Sequence, residues 1–190
     1  ILHPETDKTG IHDVQRNLAS HIFAQVGNVE EACDKADLVY ERNFSVQYVQ
    51  QCPLEPHVCI AYFDENNRLT LRTSTQVPFH VRRIIARVVG LPVARVRVIK
   101  PRIGGGFGVK QEVLIEDVTA HLCMKTGRPV RVRYNRQEEF RSSRTRHPQT
   151  LKLKTGLNRD GKLQSMSMKV IANTGAYGSH ALTVQCNTGS

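Results

Sequence analysis

Residues 104–108 read Gly-Gly-Gly-Phe-Gly, four of the chain's 13 glycines in five positions, within the stretch KPRIGGGFGVKQE (100–112). Glycine is used where backbone turns sharply or where something approaches it closely, at a cost of up to ~1 kcal/mol each. Such a run forces its neighbours to meet at one point and bares the backbone there. Ahead of it, ARVRVIK (94–100) alternates as a strand should. Behind it, Val113, Ile115 or Glu116, Ala120 and Met124 predict a helix over 112–126, capped by Gly127. Strand, glycine loop and helix in that order is a setting in which backbone N–H groups bind anions.

Two nucleotide motifs can be tested and both fail. The phosphate loop G-x-x-x-x-G-K-[ST] needs glycine at Val109 and Ser or Thr at Gln111. The dinucleotide fingerprint G-x-G-x-x-G would end on Val109 if begun at Gly104, and on Gln111 if begun at Gly106. What remains is a tight packing turn or backbone presented to a ligand, with Phe107 held between glycines.

The rest of the chain predicts strands alternating with helices and ending in a meander, so the class is α/β or mixed α+β. Residues 1–25 lack periodicity and look like a connecting arm, and 28–41 suits a short acidic helix. A strand is expected at 42–50, then a hairpin of 57–63 and 68–75 across DENN. PFHVRRIIARVVG (78–90) is the clearest helix, with Val81, Ile84, Ile85, Val88 and Val89 as its apolar stripe. A strand at 128–134 leads into a polar, arginine-rich connection in which His147 reads as structural. A last hairpin pairs 149–157 with 162–173 across NRDG, and the stretch before the final NTGS is strand-like. Beginning Ile-Leu-His-Pro, the chain reads as a piece of a longer polypeptide.

Charge and cysteine usage bound the function. Residues 1–66 carry 4 Lys and Arg against 11 Asp and Glu, and residues 67–190 carry 23 against 6. This asymmetry suits an anionic partner, an acidic neighbour or a solvated surface. The five cysteines are scattered, without C-x-x-C pairs or zinc spacing, so reduced packing thiols in an intracellular protein are expected, and no protein-ligated metal. No apolar run reaches the roughly 20 residues of a membrane span, and no signal-peptide pattern opens the chain.

GGGFGVK (104–110) resembles the glycine-phenylalanine loop of the molybdenum hydroxylases, the xanthine dehydrogenase and aldehyde oxidase family. LEPH (54–57), TSTQ (73–76), AHLCMKTGRPVRVRYNRQEEF (120–140) and RTRHP (144–148) follow the family's order and approximate spacing. The likeness runs from about residue 25 to the end and is greatest to the molybdenum-binding subunit of bacterial xanthine dehydrogenases.

The resemblance implies the first part of a molybdenum-binding region: a connecting arm (1–25), then an incomplete molybdopterin-binding domain (26–190). It implies molybdenum held by molybdopterin rather than by side chains, with 2Fe-2S and FAD on partner domains or subunits. Gln76 takes the place of the family glutamine that hydrogen-bonds an apical molybdenum oxygen. Gly105, Gly106, Phe107 and Gly108 would bring backbone to the centre, although Phe107 equally suits a core plug. Purine-oxidising members carry glutamate directly after the loop lysine, where this chain has Gln111, with Glu112 one place later. Either Glu112 substitutes after a local shift, or the substrate is recognised differently, or both are first-turn helix residues. The family's general base lies beyond this chain, so no catalytic residue is assigned, Glu55, Glu112 and Glu116 included.

The implied reaction is hydroxylation of an aromatic heterocycle, such as xanthine or hypoxanthine, with water as oxygen source, in a cytoplasmic assembly. Its partners would be the remainder of the catalytic subunit, an iron–sulfur subunit and a FAD subunit. Alternatives are an aldehyde- or other N-heterocycle-oxidising member, a fragment that keeps the fold without its centre, and a basic nucleic-acid-binding module.

Overall fold

The computed structural model describes residues 12–13, 15–175, 178 and 180–188. Much of the expected arm (1–25), residues 1–11 and 14, and the final Gly-Ser fall outside the described residues. The chain forms two compact units, residues 50–145 and the two flanking segments 1–49 and 146–190.

The flanking unit is a three-stranded antiparallel sheet in the order β1 (Leu38–Val46), β6 (Gln149–Leu157), β7 (Leu163–Ala172), with α1 (Val29–Asp34) and α5 (Ala181–Thr188). Asn28 caps α1 by accepting from the Glu31 N–H. The helix is shorter than 28–41 suggests, because the apolar run from Leu38 pairs with β6 from Leu38↔Leu157 to Val46↔Gln149. The strand expected at 42–50 therefore begins four residues early. Gly156 lets α1 approach the sheet, since a Cβ there would stand 2.9 Å from Ala36 Cβ. In the NRDG turn, Gly161 adopts φ +78° and Asn158 Oδ1 accepts from the Lys162 N–H. The strand-like stretch near the end is instead the helix α5.

The central unit is a four-stranded mixed sheet in the order β4 (Val96–Ile99), β3 (Leu69–Thr73), β2 (Val58–Phe63), β5 (Val130–Arg133). Only the β3–β4 pair is parallel, and the crossover between them carries α2 (Pro78–Val88). The β2–β3 hairpin turns on Asp64, whose carboxylate accepts from the N–H groups of Asn66 and Arg68 and from Thr70 Oγ1. Helices α2 and α3 (Glu116–Thr126) bury Val81, Ile85, Ala86, Ala120 and Cys123 against Cys59, Ala61, Leu69, Leu71 and Val96. Of the apolar stripe expected on α2, Ile84 and Val88 stay exposed, because only the Val81–Ile85 side meets the sheet.

Gly127 ends α3 with φ +63°, donating its N–H to Cys123 O. The arginine-rich connection contains a helix not expected from the sequence, α4 (Arg136–Ser142). Asn135 and Glu138 start it with a reciprocal capping box. Buried Glu139 on α4 accepts from the N–H and Nδ1 of buried His57, at 2.9 and 2.8 Å. Cys33, Cys59 and Cys123 are buried, Cys52 and Cys186 exposed, and none of the five is bridged. No helix among the described residues is long and apolar enough to cross a membrane.

Candidate functional site

The glycine loop lies within the central unit between β4 and α3, and two side chains set its shape. Gln76, two residues ahead of α2, accepts at Oε1 from the N–H groups of Gly108 (3.0 Å) and Lys110 (3.3 Å). Its own main-chain N–H donates to Lys110 O at 2.8 Å, and Thr75 Oγ1 donates to the same carbonyl at 3.3 Å. Two donors on Oε1 fix which way the amide points. The Nε2 end of this half-buried side chain has no acceptor among the described residues.

A Cβ built on Gly106 would stand 2.5 Å from Gln76 Oε1, so the approach requires glycine. Gly105, Phe107 and Gly108 all adopt left-handed backbone, at φ +95°, +53° and +94°. At Phe107 that geometry costs about 1–2 kcal/mol, because its Cβ crowds the next carbonyl. The ring is 64% exposed and turns back over Gly105, so it is not a core plug. Val109 N–H closes the turn onto Gly106 O at 2.9 Å. The N–H groups of Gly106 and Phe107 have no acceptor among the described residues.

The second brace is one the sequence did not reveal. Lys110 is buried, and its Nζ donates to Glu55 O at 2.7 Å and to Glu55 Oε2 at 3.0 Å. The same carboxylate oxygen accepts from Ser74 Oγ (2.7 Å) and Gly104 N–H (2.8 Å). Partial burial acts to raise the Glu55 pKa, but Ser74, Gly104 and Lys110 together outweigh it and hold the carboxyl below its ordinary value. A Cβ on Gly104 would stand 2.6 Å from Glu55 Cβ. Both LEPH and the loop lysine are visible motifs, yet nothing in the sequence joins residues so far apart.

Gln111 is half-buried, and Glu112 accepts from Arg144 Nε at 2.6 Å. Neither lies in the first turn of α3, which begins at Glu116; that turn's acidic residues are Glu116 and Asp117. Buried Glu116 turns back on the irregular segment before it, taking Leu114 and Ile115 N–H at Oε2 and Thr73 Oγ1 at Oε1. It is structural. A groove of about 320 Å³ adjoins the loop, lined by Leu54, Glu55, Val58, Gly104, Arg131 and Arg133.

Bare N–H donors beside an amide whose oxygen is already engaged suit a ligand rich in uncharged or anionic oxygen acceptors. No group of three His, Cys, Asp or Glu among the described residues is placed to hold a metal ion. The loop thus offers a ligand bare main-chain N–H groups and the Nε2 end of one fixed side-chain amide. The chain belongs to the molybdopterin cofactor-binding domain family, whose model matches residues 11–190.

It is 44% identical over 173 residues to a probable hypoxanthine oxidase of Escherichia coli K12, covering 91% of this chain and 18% of that protein. It is 40% identical over 169 residues to a putative xanthine dehydrogenase molybdenum-binding subunit of the same strain, covering 88% and 22%. The chain thus spans about a fifth of the length of these relatives. The aldehyde oxidoreductase of Desulfovibrio gigas superposes with a TM-score of 0.73 at 28% identity, over 84% of this chain and 18% of that one.

Proposed function

We propose that this chain is part of the catalytic subunit of a molybdenum hydroxylase acting on an aromatic heterocycle, most specifically a purine such as xanthine or hypoxanthine. The observation that carries the reading is the fixed amide of Gln76: Oε1 is held by Gly108 and Lys110, leaving the Nε2 donors for a ligand. The purine assignment is supported by the names of the two E. coli relatives.

Gln76, Gly105, Gly106, Phe107 and Gly108 form the cofactor-facing surface in this reading, and Gln111 and Glu112 lie toward the substrate. Bound molybdopterin would supply the redox chemistry, oxidising the heterocycle with water as oxygen source. The chain's own residues position rather than react: Gln76 donates to an oxygen without adding charge, and the loop excludes side chains that would hold a ligand away. Gln111, with both donor and acceptor ends, would read a ring edge where a carboxylate could only accept.

Residues 26–190 are the domain portion and 1–25 the arm leading to it. The remainder of the catalytic subunit, a 2Fe-2S subunit and a FAD subunit complete a cytoplasmic assembly.

Elemental analysis of the native assembly, with intact mass, tests the reading. Stoichiometric molybdenum is expected in the assembly, with retention lowered by Gln76→Leu. An assembly without molybdenum overturns it. Hydroxylation assays on xanthine, hypoxanthine, nicotinate and an aldehyde then separate the substrate classes.

A further inference from the structure

Helices α2 and α3 pack on one face of the four-stranded sheet. The strand register places Arg97 and Ile99 of β4, Arg72 of β3, Ile60 and Tyr62 of β2, and Arg131 and Arg133 of β5 on the other. One row across all four strands reads Ile99, Arg72, Ile60, Arg131. The four arginines are exposed, and no Asp or Glu lies on any of these strands. No hydrogen bond or ion pair among the described residues engages them.

Asp64 and Glu55, which adjoin this face at Thr70 and at the Arg131–Arg133 groove, are already engaged. Asp64 holds Arg68 and Thr70, while Glu55 holds Ser74, Gly104 and Lys110. No arginine directly opposes another in the register, but Arg97 and Arg72 are diagonal neighbours and Arg131 and Arg133 are two apart on one strand, so four positive charges are gathered on this face without a compensating carboxylate on its strands. Arginine beside exposed aliphatic side chains is also a protein-interface composition; here Ile60 lies between Arg72 and Arg131, and Ile99 flanks Arg72 at the sheet edge.

We propose that this sheet face docks an acidic segment of the remainder of the catalytic subunit. Its carboxylates would meet Arg72, Arg97, Arg131 and Arg133, and its aliphatic side chains would cover Ile60 and Ile99. The source of the segment rests on the function proposed above. The E. coli relatives have about four-fifths of their length outside the part this chain matches. A second copy is unsuitable, because a self-complementary contact would set arginine against arginine. Nucleic acid is disfavoured too: Tyr62, half-buried, is the face's one aromatic, and stacking platforms need exposed rings.

The test is arginine footprinting with phenylglyoxal on the native assembly that contains this chain, read by peptide mass spectrometry. Arg159, whose side chain is 89% exposed, serves as the internal standard. Expected is modification of the four face arginines severalfold slower than Arg159. The double variant Arg72→Glu/Arg131→Glu should raise labelling of Arg97 and Arg133 to the Arg159 rate, and Arg72→Lys/Arg131→Lys should leave them protected. Labelling of all four at the Arg159 rate overturns the proposal, and needs no variant to fold. Protection that disappears on nuclease treatment overturns it in favour of nucleic acid. Molybdenum content is scored separately, so an assembly lacking metal but retaining protection would sink the cofactor reading and leave the docking face standing.

Discussion

Gly106 and Gln76 depend on each other. With a Cβ 2.5 Å from the amide oxygen, Gly106→Ala must displace either the side chain or the loop. A loss of about 1–3 kcal/mol is expected, the usual range for an overpacked site, measurable by urea denaturation. Gln76→Leu should cost a similar ~1–3 kcal/mol, chiefly by stranding the N–H of buried Lys110, since exposed Gly108 can turn to water. Glu55 adds a pH signature. Its carboxyl sits below the ordinary 4.5 in the fold, so the unfolded state takes up protons first as pH falls. The stabilisation is therefore present above the ordinary value and disappears as pH drops through the lowered one. Glu55→Gln should flatten that acid limb in melts run across the acid range; an unchanged limb would remove Glu55 from the account.

The glycines and Gln76 were legible one residue at a time, because the motif is written in consecutive letters. The brace was not, since Lys110, Ser74 and Glu55 meet only after β2, β3 and the loop have folded together.

At the scale of elements, the capping box on α4 and the Glu139–His57 pair belong together. Asn135→Ala should cost about 1 kcal/mol as the helix loses its N-terminal acceptor. Glu139→Ala should cost more, because it leaves buried His57 N–H and Nδ1 without their partner at about 1–3 kcal/mol per group. Comparing the two variants in one denaturation series decides whether α4 is held mainly by its cap or by its buried carboxylate.

N-x-x-E is a cap signal that the sequence does contain at Asn135–Glu138, but arginines on both sides made the segment read as a polar connection. On α3 the helix is instead shorter than its spacing suggests. Helical spacing extends back to Val113, yet Glu116 takes the N–H groups of Leu114 and Ile115, so those residues stay outside the helix. The NRDG and DENN turns were read correctly, because turn chemistry is local.

For the whole molecule, the central unit is an insertion between β1 and β6, and its ends lie together: Gln50 Nε2 donates to Ser143 Oγ at 2.9 Å. Residues 50–145 also hold the four-stranded sheet and its core. This segment is expected to fold alone with one cooperative thermal transition; a broad, non-cooperative melt would show that it needs the flanking unit. Cysteine reactivity offers a second readout. Burial first, then the Glu116 charge, pushes the Cys59 thiol up to about 12, and Cys33 and Cys123 are also buried. Native alkylation should modify only the exposed Cys52 and Cys186, with all five reacting after unfolding.

What the sequence determined by itself was what neighbouring residues dictate: turns, the two long helices, the glycine loop and the family those letters resemble. The tertiary structure decided which end of the Gln76 amide faces the loop, that Glu55 and Lys110 brace the loop, and that four arginines share an uncovered sheet face. Those outcomes depend on strand order and register, which join residues tens of positions apart and are fixed by packing rather than by local pattern.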